Sequence, residues 1–142
     1  MTVQQSAHRQ AAPPQQPTKV DHIALHVRDL QKSAEFYGGT LGLQQIADPF
    51  KDGKHLFLRL SEHTQLHLIA GAQGDMQHDM KVHFALRVLS VESSRKLLEQ
   101  KHIKYFNSRK EEGVVTTRPD GVKQIYFQDP DGYWVEVNDN RL

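Results

Sequence analysis

The sequence contains one pattern twice, and this repeat limits the folds that the chain can adopt. Residues 20–36, VDHIALHVRDLQKSAEF, align without a gap on residues 81–97, KVHFALRVLSVESSRKL. The alignment pairs His22 with His83 and matches Ala, Leu, Val and Ser at further positions. Self-similarity of this kind indicates one supersecondary unit used more than once. We therefore predict two modules of the same topology.

Each module is predicted to have the order β-α-β-β-β. Each copy opens with a strand in which apolar residues alternate with polar ones. Apolar residues at helical spacing then indicate a helix at about residues 30–41 in the first copy and 91–101 in the second. Asp29 and Ser90 are the expected N-caps of these helices. Strands are predicted at residues 20–27, 43–47, 55–60 and 65–70, and then at 81–88, 105–106, 123–128 and 133–138. The fold class is α+β, with the two βαβββ modules forming a curved mixed sheet and the helices outside it.

The domain boundaries follow from composition. The chain has 142 residues, of which 37% are hydrophobic, and this suits a single domain with its own core. Residues 1–19 are rich in Gln, Ala and Pro and are expected to be a flexible N-terminal tail. Residues 20–142 are expected to form one domain, consisting of module 1 (20–71), a linker (72–80) and module 2 (81–139).

Net charge and residue composition limit the classes of binding partner and metal ligand that the chain can have. The formal net charge is +1 and both signs are spread along the chain, which argues against nucleic acid and membrane surfaces and favours a small-molecule partner. The chain has no cysteine, so a metal ion must be held by histidine and carboxylate. Without a long apolar run or a signal peptide, we expect a cytoplasmic protein.

The end of the second module has a strong turn signal. The sequence YFQDPDGYWVE predicts two strands joined by a tight turn, because Pro130 fixes φ, Asp129 can accept backbone hydrogen bonds and Gly132 tolerates positive φ. Glu136 then lies within the outgoing strand among large apolar residues. An isolated carboxylate there would be costly, so Glu136 should have a cation, a donor or a metal as its partner.

Strand parity gathers four possible metal ligands. Apolar residues alternate with polar ones in the predicted strands, and the apolar face must meet the helices. The opposite face carries His22, His67, His83 and Glu136, at corresponding positions of the repeat. We expect these side chains to converge on the concave face and hold one divalent ion, which could be Zn, Ni, Co, Mn or Fe. The alternative is a set of structural histidines paired with Glu136.

The same face supplies the expected substrate contacts. His26 lies two residues further along the first strand than Ala24. It is expected either to support a metal ligand without binding the metal itself or to contact the substrate. The other candidates that share this face are Phe57, Arg59, Arg87, Gln124, Tyr126 and Trp134.

Three segments resemble the vicinal oxygen chelate superfamily, which includes glyoxalase I, bleomycin resistance proteins and extradiol dioxygenases. They are HIALHVRDL with SAEFYGGTLGL, the central HFALRV and the closing FQDPDGYWVEV, so the resemblance covers about residues 20–138. It implies metal ligands at His22, His83 and Glu136, with a fourth at His67, where glyoxalase-like members usually have Glu or Gln. It also implies a homodimer with one site per chain, with or without exchange of a module.

The leading hypothesis from this resemblance is a metal-dependent lyase or isomerase of glyoxalase I type, similar to lactoylglutathione lyase. It would act through an enediolate on a small substrate with vicinal oxygens, and Glu136 would be the catalytic proton carrier. His26 stands where glyoxalase I has an Arg that grips glutathione, which counts against glutathione. One alternative is an Fe(II) extradiol-type dioxygenase that uses His22, His83 and Glu136. The other is a metal-free binding protein similar to bleomycin resistance proteins.

Overall fold

The structure is a computed structural model that describes Gln15 and residues 18–141. The remainder of the predicted N-terminal tail lies outside the described residues. Within them, no helix is long and apolar enough to cross a membrane.

The first module has a four-stranded sheet. Its elements in chain order are β1 (His22–Val27), α1 (Leu30–Ala34), which continues as a π-helical segment (Glu35–Thr40), β2 (Gln45–Ile46), β3 (His55–Arg59) and β4 (Gln65–Ala70). The strand order is β1-β4-β3-β2, in which β1 runs parallel to β4 and the other pairs are antiparallel.

The second module repeats this topology with one additional short strand. It contains β5 (His83–Arg87), α2 (Val91–Gln100), β6 (Tyr105–Phe106), β7 (Thr116–Thr117), β8 (Lys123–Gln128) and β9 (Trp134–Asn138). The order is β5-β9-β8-β6, and β7 pairs with β8. The predicted elements are all present, and the predicted fold class is confirmed; β7 was not foreseen because two threonines are too short a segment to show a period.

The helices begin at the expected caps. The Asp29 side chain accepts the backbone N–H groups of Gln31 and Lys32, and the Ser90 hydroxyl accepts that of Ser93. The first helix differs from the expectation in its second half, where Leu41 donates to the carbonyl of Phe36 in a π-helical turn.

The two modules share one core. Apolar side chains on the helix side of both sheets are buried together, among them Leu66 and Leu68 of β4 and Ile125 and Phe127 of β8. The ring centroid of Phe36 lies 6.0 Å from that of Phe127. The modules therefore pack through their helix sides. The prediction of one curved sheet needs correction, because hydrogen bonding forms two sheets, with β1 and β5 each at an outer end of its own sheet.

Five side chains clamp the modules together, and we call them the module clamp: Arg28, Ser33, Tyr37, Asp129 and Asp131. In the predicted turn, Gly132 has φ of 87° and donates to the carbonyl of Asp129. The Asp131 carboxylate accepts the backbone N–H and the Nε–H of Arg28, at 2.9 and 3.0 Å, and the hydroxyl of Ser33 at 3.3 Å. Tyr37 donates to Asp129 at 2.7 Å. The turn thus holds the first helix as well as joining two strands.

Candidate metal and substrate site

The strand registers place the sequence-predicted site residues on two polar faces. In the first sheet, Ala24 is opposite His67 and His67 is opposite Phe57, so His22, His26, His67, Phe57 and Arg59 share one face. In the second sheet, Ala85 and Tyr126 are both opposite Glu136. The residues of that face are His83, Arg87, Gln124, Tyr126, Trp134 and Glu136.

His22 and His67 form the first candidate ligand pair, which we call the histidine pair. Their rings are stacked with centroids 4.1 Å apart, and the other neighbour of His67 is Phe57 at 3.6 Å. His67 Nε2 lies 2.8 Å from Oε1 of Gln65, and His22 Nδ1 lies 2.6 Å from a carboxylate oxygen of Asp21. Desolvation, followed by the neighbouring His22, lowers the pKa of His67 below its ordinary value. The His67 imidazole is therefore neutral at neutral pH and retains a lone pair.

His83 and Glu136 form the second candidate ligand pair, which we call the histidine–glutamate pair. His83 Nδ1 lies 2.7 Å from the carbonyl oxygen of Met80, so Nδ1 carries the proton and donates. In the neutral tautomer this leaves a lone pair on Nε2, which lies 3.9 Å from Oε1 of Glu136. Two acceptors that face each other at this distance fit a cation between them.

Glu136 is held in place by two amides. Its side chain is 6% exposed, and its carboxylate accepts Nε2–H of Gln124 at 2.6 Å and Nδ2–H of Asn138 at 2.7 Å. Burial and the nearby Glu136 raise the pKa of the Tyr126 phenol well above its ordinary value. Gln124, which is predicted as a substrate contact, thus also orients the carboxylate. Asn138 was missed, although its position two residues after Glu136 puts it on the same face.

Within one chain the four donors do not converge. Among the described residues, no three His, Asp or Glu side chains are close enough to hold one ion. The expected convergence fails because the modules join through their helix sides, so the polar faces point away from the shared core. The structure therefore contains two separate pairs, with two donors each.

The other predicted contacts are distributed around these pairs. His26, Arg59 and Arg87 are exposed on the polar faces. Trp134 is buried, donates its indole N–H to the carbonyl of His78 at 3.2 Å and packs with Phe106. Sequence reasoning also missed Met80, whose carbonyl fixes His83, because a backbone contact leaves no signal in residue type.

The donor types suit a divalent transition-metal ion. Imidazole and carboxylate are ligands of Zn²⁺, Ni²⁺, Co²⁺, Mn²⁺ and Fe²⁺, and the imidazole whose second nitrogen donates to a carbonyl is typical of a metal ligand. His83 has this arrangement. A closed site needs about four donors. Each pair supplies half of that number.

The fold and the polar faces define a class of protein: a chain of two βαβββ modules with histidine and carboxylate on the sheet faces opposite the helices. A family model described as the Glyoxalase/Bleomycin resistance protein/Dioxygenase superfamily matches residues 19–137. The chain belongs to this superfamily.

The chain is also similar to curated proteins and to solved structures. Uncharacterized protein YwbC of Bacillus subtilis (strain 168) is 27% identical over 124 residues, which are 83% of this chain and 94% of that protein. Glyoxylase I 4 of Arabidopsis thaliana is 26% identical over 129 residues, 84% of this chain and 70% of that protein. A crystal structure of a glyoxalase family protein from Bacillus anthracis has a TM-score of 0.70 at 20% identity, covering 90% of this chain and 99% of that one. The last similarity shows the shared fold.

Proposed function

We propose that this protein is a metal-dependent lyase or isomerase of glyoxalase I type that acts on a small substrate with vicinal oxygens. The observation that carries the proposal is the histidine–glutamate pair, in which a fixed imidazole and a buried carboxylate face each other at 3.9 Å. Membership of the superfamily and the similarity to Glyoxylase I 4 support the reaction class. The proposed ligands are His22, His67, His83 and Glu136, for one divalent ion per chain.

We infer that the ligand set is completed by a second copy of the chain. The polar faces of one chain point away from its core, so the histidine pair of one chain can face the histidine–glutamate pair of its partner. Strand β5 lies at the outer end of its sheet and is flanked by exposed apolar side chains, with Val82 76% and Leu89 99% exposed. Exposed apolar groups beside an edge strand favour association. A twofold homodimer would then hold two complete sites.

The bound ion would supply Lewis-acid polarisation of the two substrate oxygens, which acidifies the adjacent C–H group. Glu136 would accept this proton and return it to the neighbouring carbon. Gln124 and Asn138 keep its carboxylate oriented during both transfers. The Tyr126 phenol stays protonated, because its pKa is raised, and is therefore a hydrogen-bond donor beside Glu136.

A second candidate is favoured by the surroundings of His67. Its ring lies between those of His22 and Phe57, and Nε2 is bonded to Gln65. If His67 stays in this position, the remaining donors are two histidines and one carboxylate, the set found in Fe(II) oxygenases. The protein would then be an extradiol-type dioxygenase in which His67 supports the ligands but does not bind the metal.

Metal uptake tests the proposal first. The protein is stripped with a chelator, incubated separately with each of the five ions, with Fe²⁺ under anaerobic conditions, desalted and measured by elemental analysis. We expect about one ion per chain for at least one metal. The loaded protein is then assayed for isomerisation of the hemithioacetals of methylglyoxal, and for oxygen uptake with catechols. Isomerisation supports the lyase or isomerase and oxygen uptake the dioxygenase, whereas no uptake of any ion overturns both and favours a metal-free binding protein.

A further inference from the structure

Aromatic rings form a continuous row on the polar face of the first sheet. The row begins at the histidine pair, where His67 stacks on Phe57 with ring planes only 4° apart. Phe57 meets the ring of Phe50 edge to face at 6.1 Å. Phe50 in turn stacks on His55 at 4.2 Å. The row thus leads from the candidate ligands to the loop between β2 and β3.

Phe50 is the exposed end of this row. Phe57 is 7% exposed, whereas Phe50 is 60% exposed. His55 covers one face of the Phe50 ring, so the opposite face supplies much of this exposure. A large aromatic side chain in water forgoes the stabilisation that its burial would give.

The loop that presents Phe50 is held by side-chain hydrogen bonds. The Asp48 carboxylate accepts the backbone N–H groups of Phe50 and Lys51, at 2.9 and 3.3 Å. Lys51 has φ of 51°, which is uncommon for a residue other than glycine. Asp52 accepts from His55 and so fixes the ring beneath Phe50. These bonds fix the backbone at Phe50 and the ring of its stacking partner His55.

The polar face of the second sheet also carries apolar rings beside its ligand pair. Met80, Tyr126 and Trp134 form a buried cluster with Phe106 packed against it. Tyr126 meets the ring of His83 edge to face at 5.2 Å. Each ligand pair thus has an aromatic ring packed against one of its histidines.

We propose that the substrate has a planar aromatic group in addition to its vicinal oxygens, and that this group stacks on Phe50. The inference rests on the proposed function for the position of the oxygens. The open face of Phe50 and the aromatic row between it and the histidine pair are its own evidence. Offset or edge-to-face stacking gives aromatic groups a preference beyond the burial of apolar area. Phe50 is thus a specificity residue at the outer end of the site.

Two matched probes separate stacking from simple burial. 2,3-Dihydroxynaphthalene has a planar ring system and vicinal oxygens, and decahydronaphthalene-2,3-diol has the same carbon skeleton and oxygens without aromaticity. Binding of each is measured by calorimetry on full-length protein in the presence of EDTA, so that neither metal nor turnover is needed. We expect the wild-type protein to prefer the aromatic probe.

The variants assign this preference to Phe50. Phe50→Leu, which keeps apolar area but removes the ring, should weaken the aromatic probe about 2- to 10-fold and leave the saturated one nearly unchanged. Phe50→Trp should retain the preference, and Val114→Ala, an exposed apolar control in the second module, should not alter it. An equal ratio of the two affinities in wild type and Phe50→Leu overturns the proposal. So does a Phe50→Leu variant that changes only the sedimentation behaviour, since Phe50 would then be a contact between chains. Because binding is measured without metal, this result is independent of the metal-uptake test.

Discussion

The Tyr37 hydroxyl donates to Oδ2 of Asp129 at 2.7 Å and so connects the first-module helix with the second-module turn. Tyr37 is 0% and Asp129 5% exposed. The other carboxylate oxygen, Oδ1, accepts the backbone N–H groups of Asp131 and Tyr133, both at 2.9 Å. Asp129 therefore shapes the turn with one oxygen and binds the other module with the second. This relationship makes the module clamp sensitive to single substitutions.

Removal of the Tyr37 hydroxyl should destabilise the fold. Tyr37→Phe leaves Oδ2 of Asp129 buried without its donor, at a cost of about 1–3 kcal/mol in the free energy of unfolding. Urea denaturation measures this change. Tyr133→Phe is the matched control, because the Tyr133 hydroxyl donates to the carbonyl of His26 at an exposed position and should contribute less. Equal losses in the two variants would contradict a special role for the clamp.

The clamp should also make stability depend on pH. Burial raises the pKa of Asp129 above the ordinary value of 3.8, even though three hydrogen bonds oppose the shift. The native state thus binds the proton more tightly than the unfolded state. The resulting stabilisation of the folded state is complete below pH 3.8, the ordinary pKa of aspartate, and is lost as the pH rises through the raised pKa of Asp129.

Asp129→Asn removes this titration while an amide oxygen remains to accept the backbone N–H groups. The free energy of unfolding of wild type relative to this variant should therefore fall as the pH rises above 3.8 and then level off. Urea titrations of both proteins across this range provide the measurement. A difference that stays constant with pH would mean that Asp129 has no raised pKa in the folded state.

Truncation of the proposed ligands should affect metal binding as a unit. His83→Ala and Glu136→Ala should each release the ion, and the double variant should lose little more, since the site fails once either donor is gone. His26→Ala should keep the metal and reduce turnover by about 10- to 100-fold if it acts behind the ligands. Elemental analysis and kinetics of all four proteins distinguish these outcomes. Retention of metal by Glu136→Ala with loss by His26→Ala would require another ligand assignment.

Mixed dimers should show that each site takes one pair from each chain. His22→Ala damages the first pair and Glu136→Ala the second, so neither homodimer should bind metal. A heterodimer of the two, purified with different tags, has one site with both defects and one intact site, and should hold about half of the wild-type metal. If sites form within a chain, the heterodimer should bind none. Light scattering on the wild type provides the matching check, because a monomer at micromolar concentration would exclude a shared site.

Much of the local structure could be read from the sequence, because it depends on neighbouring residues. Asp29 and Ser90 cap their helices as their side chains allow, and the DPDG turn has its glycine at positive φ. The sheet face on which His67 and Glu136 lie follows from the alternation of side chains along a strand. This alternation does not depend on which strands are the neighbours.

The partners of these side chains depended on the tertiary structure. The bond of Glu136 to Gln124 requires the register of β8 against β9, and the bond of His83 to Met80 involves a carbonyl that any residue could supply. The exposure of Phe50 is set by the course of its loop. No pattern of residue types fixes these contacts in advance.

The sequence by itself determined two βαβββ modules, their caps and the polar face on which each candidate ligand lies, since these depend on local backbone geometry and alternation. Only the tertiary structure decided how the modules meet. Their arrangement depends on contacts between residues far apart in the chain, from Arg28 and Tyr37 to Asp131 and Asp129. Because those contacts join the helix sides, they separate the histidine pair from the histidine–glutamate pair within one chain.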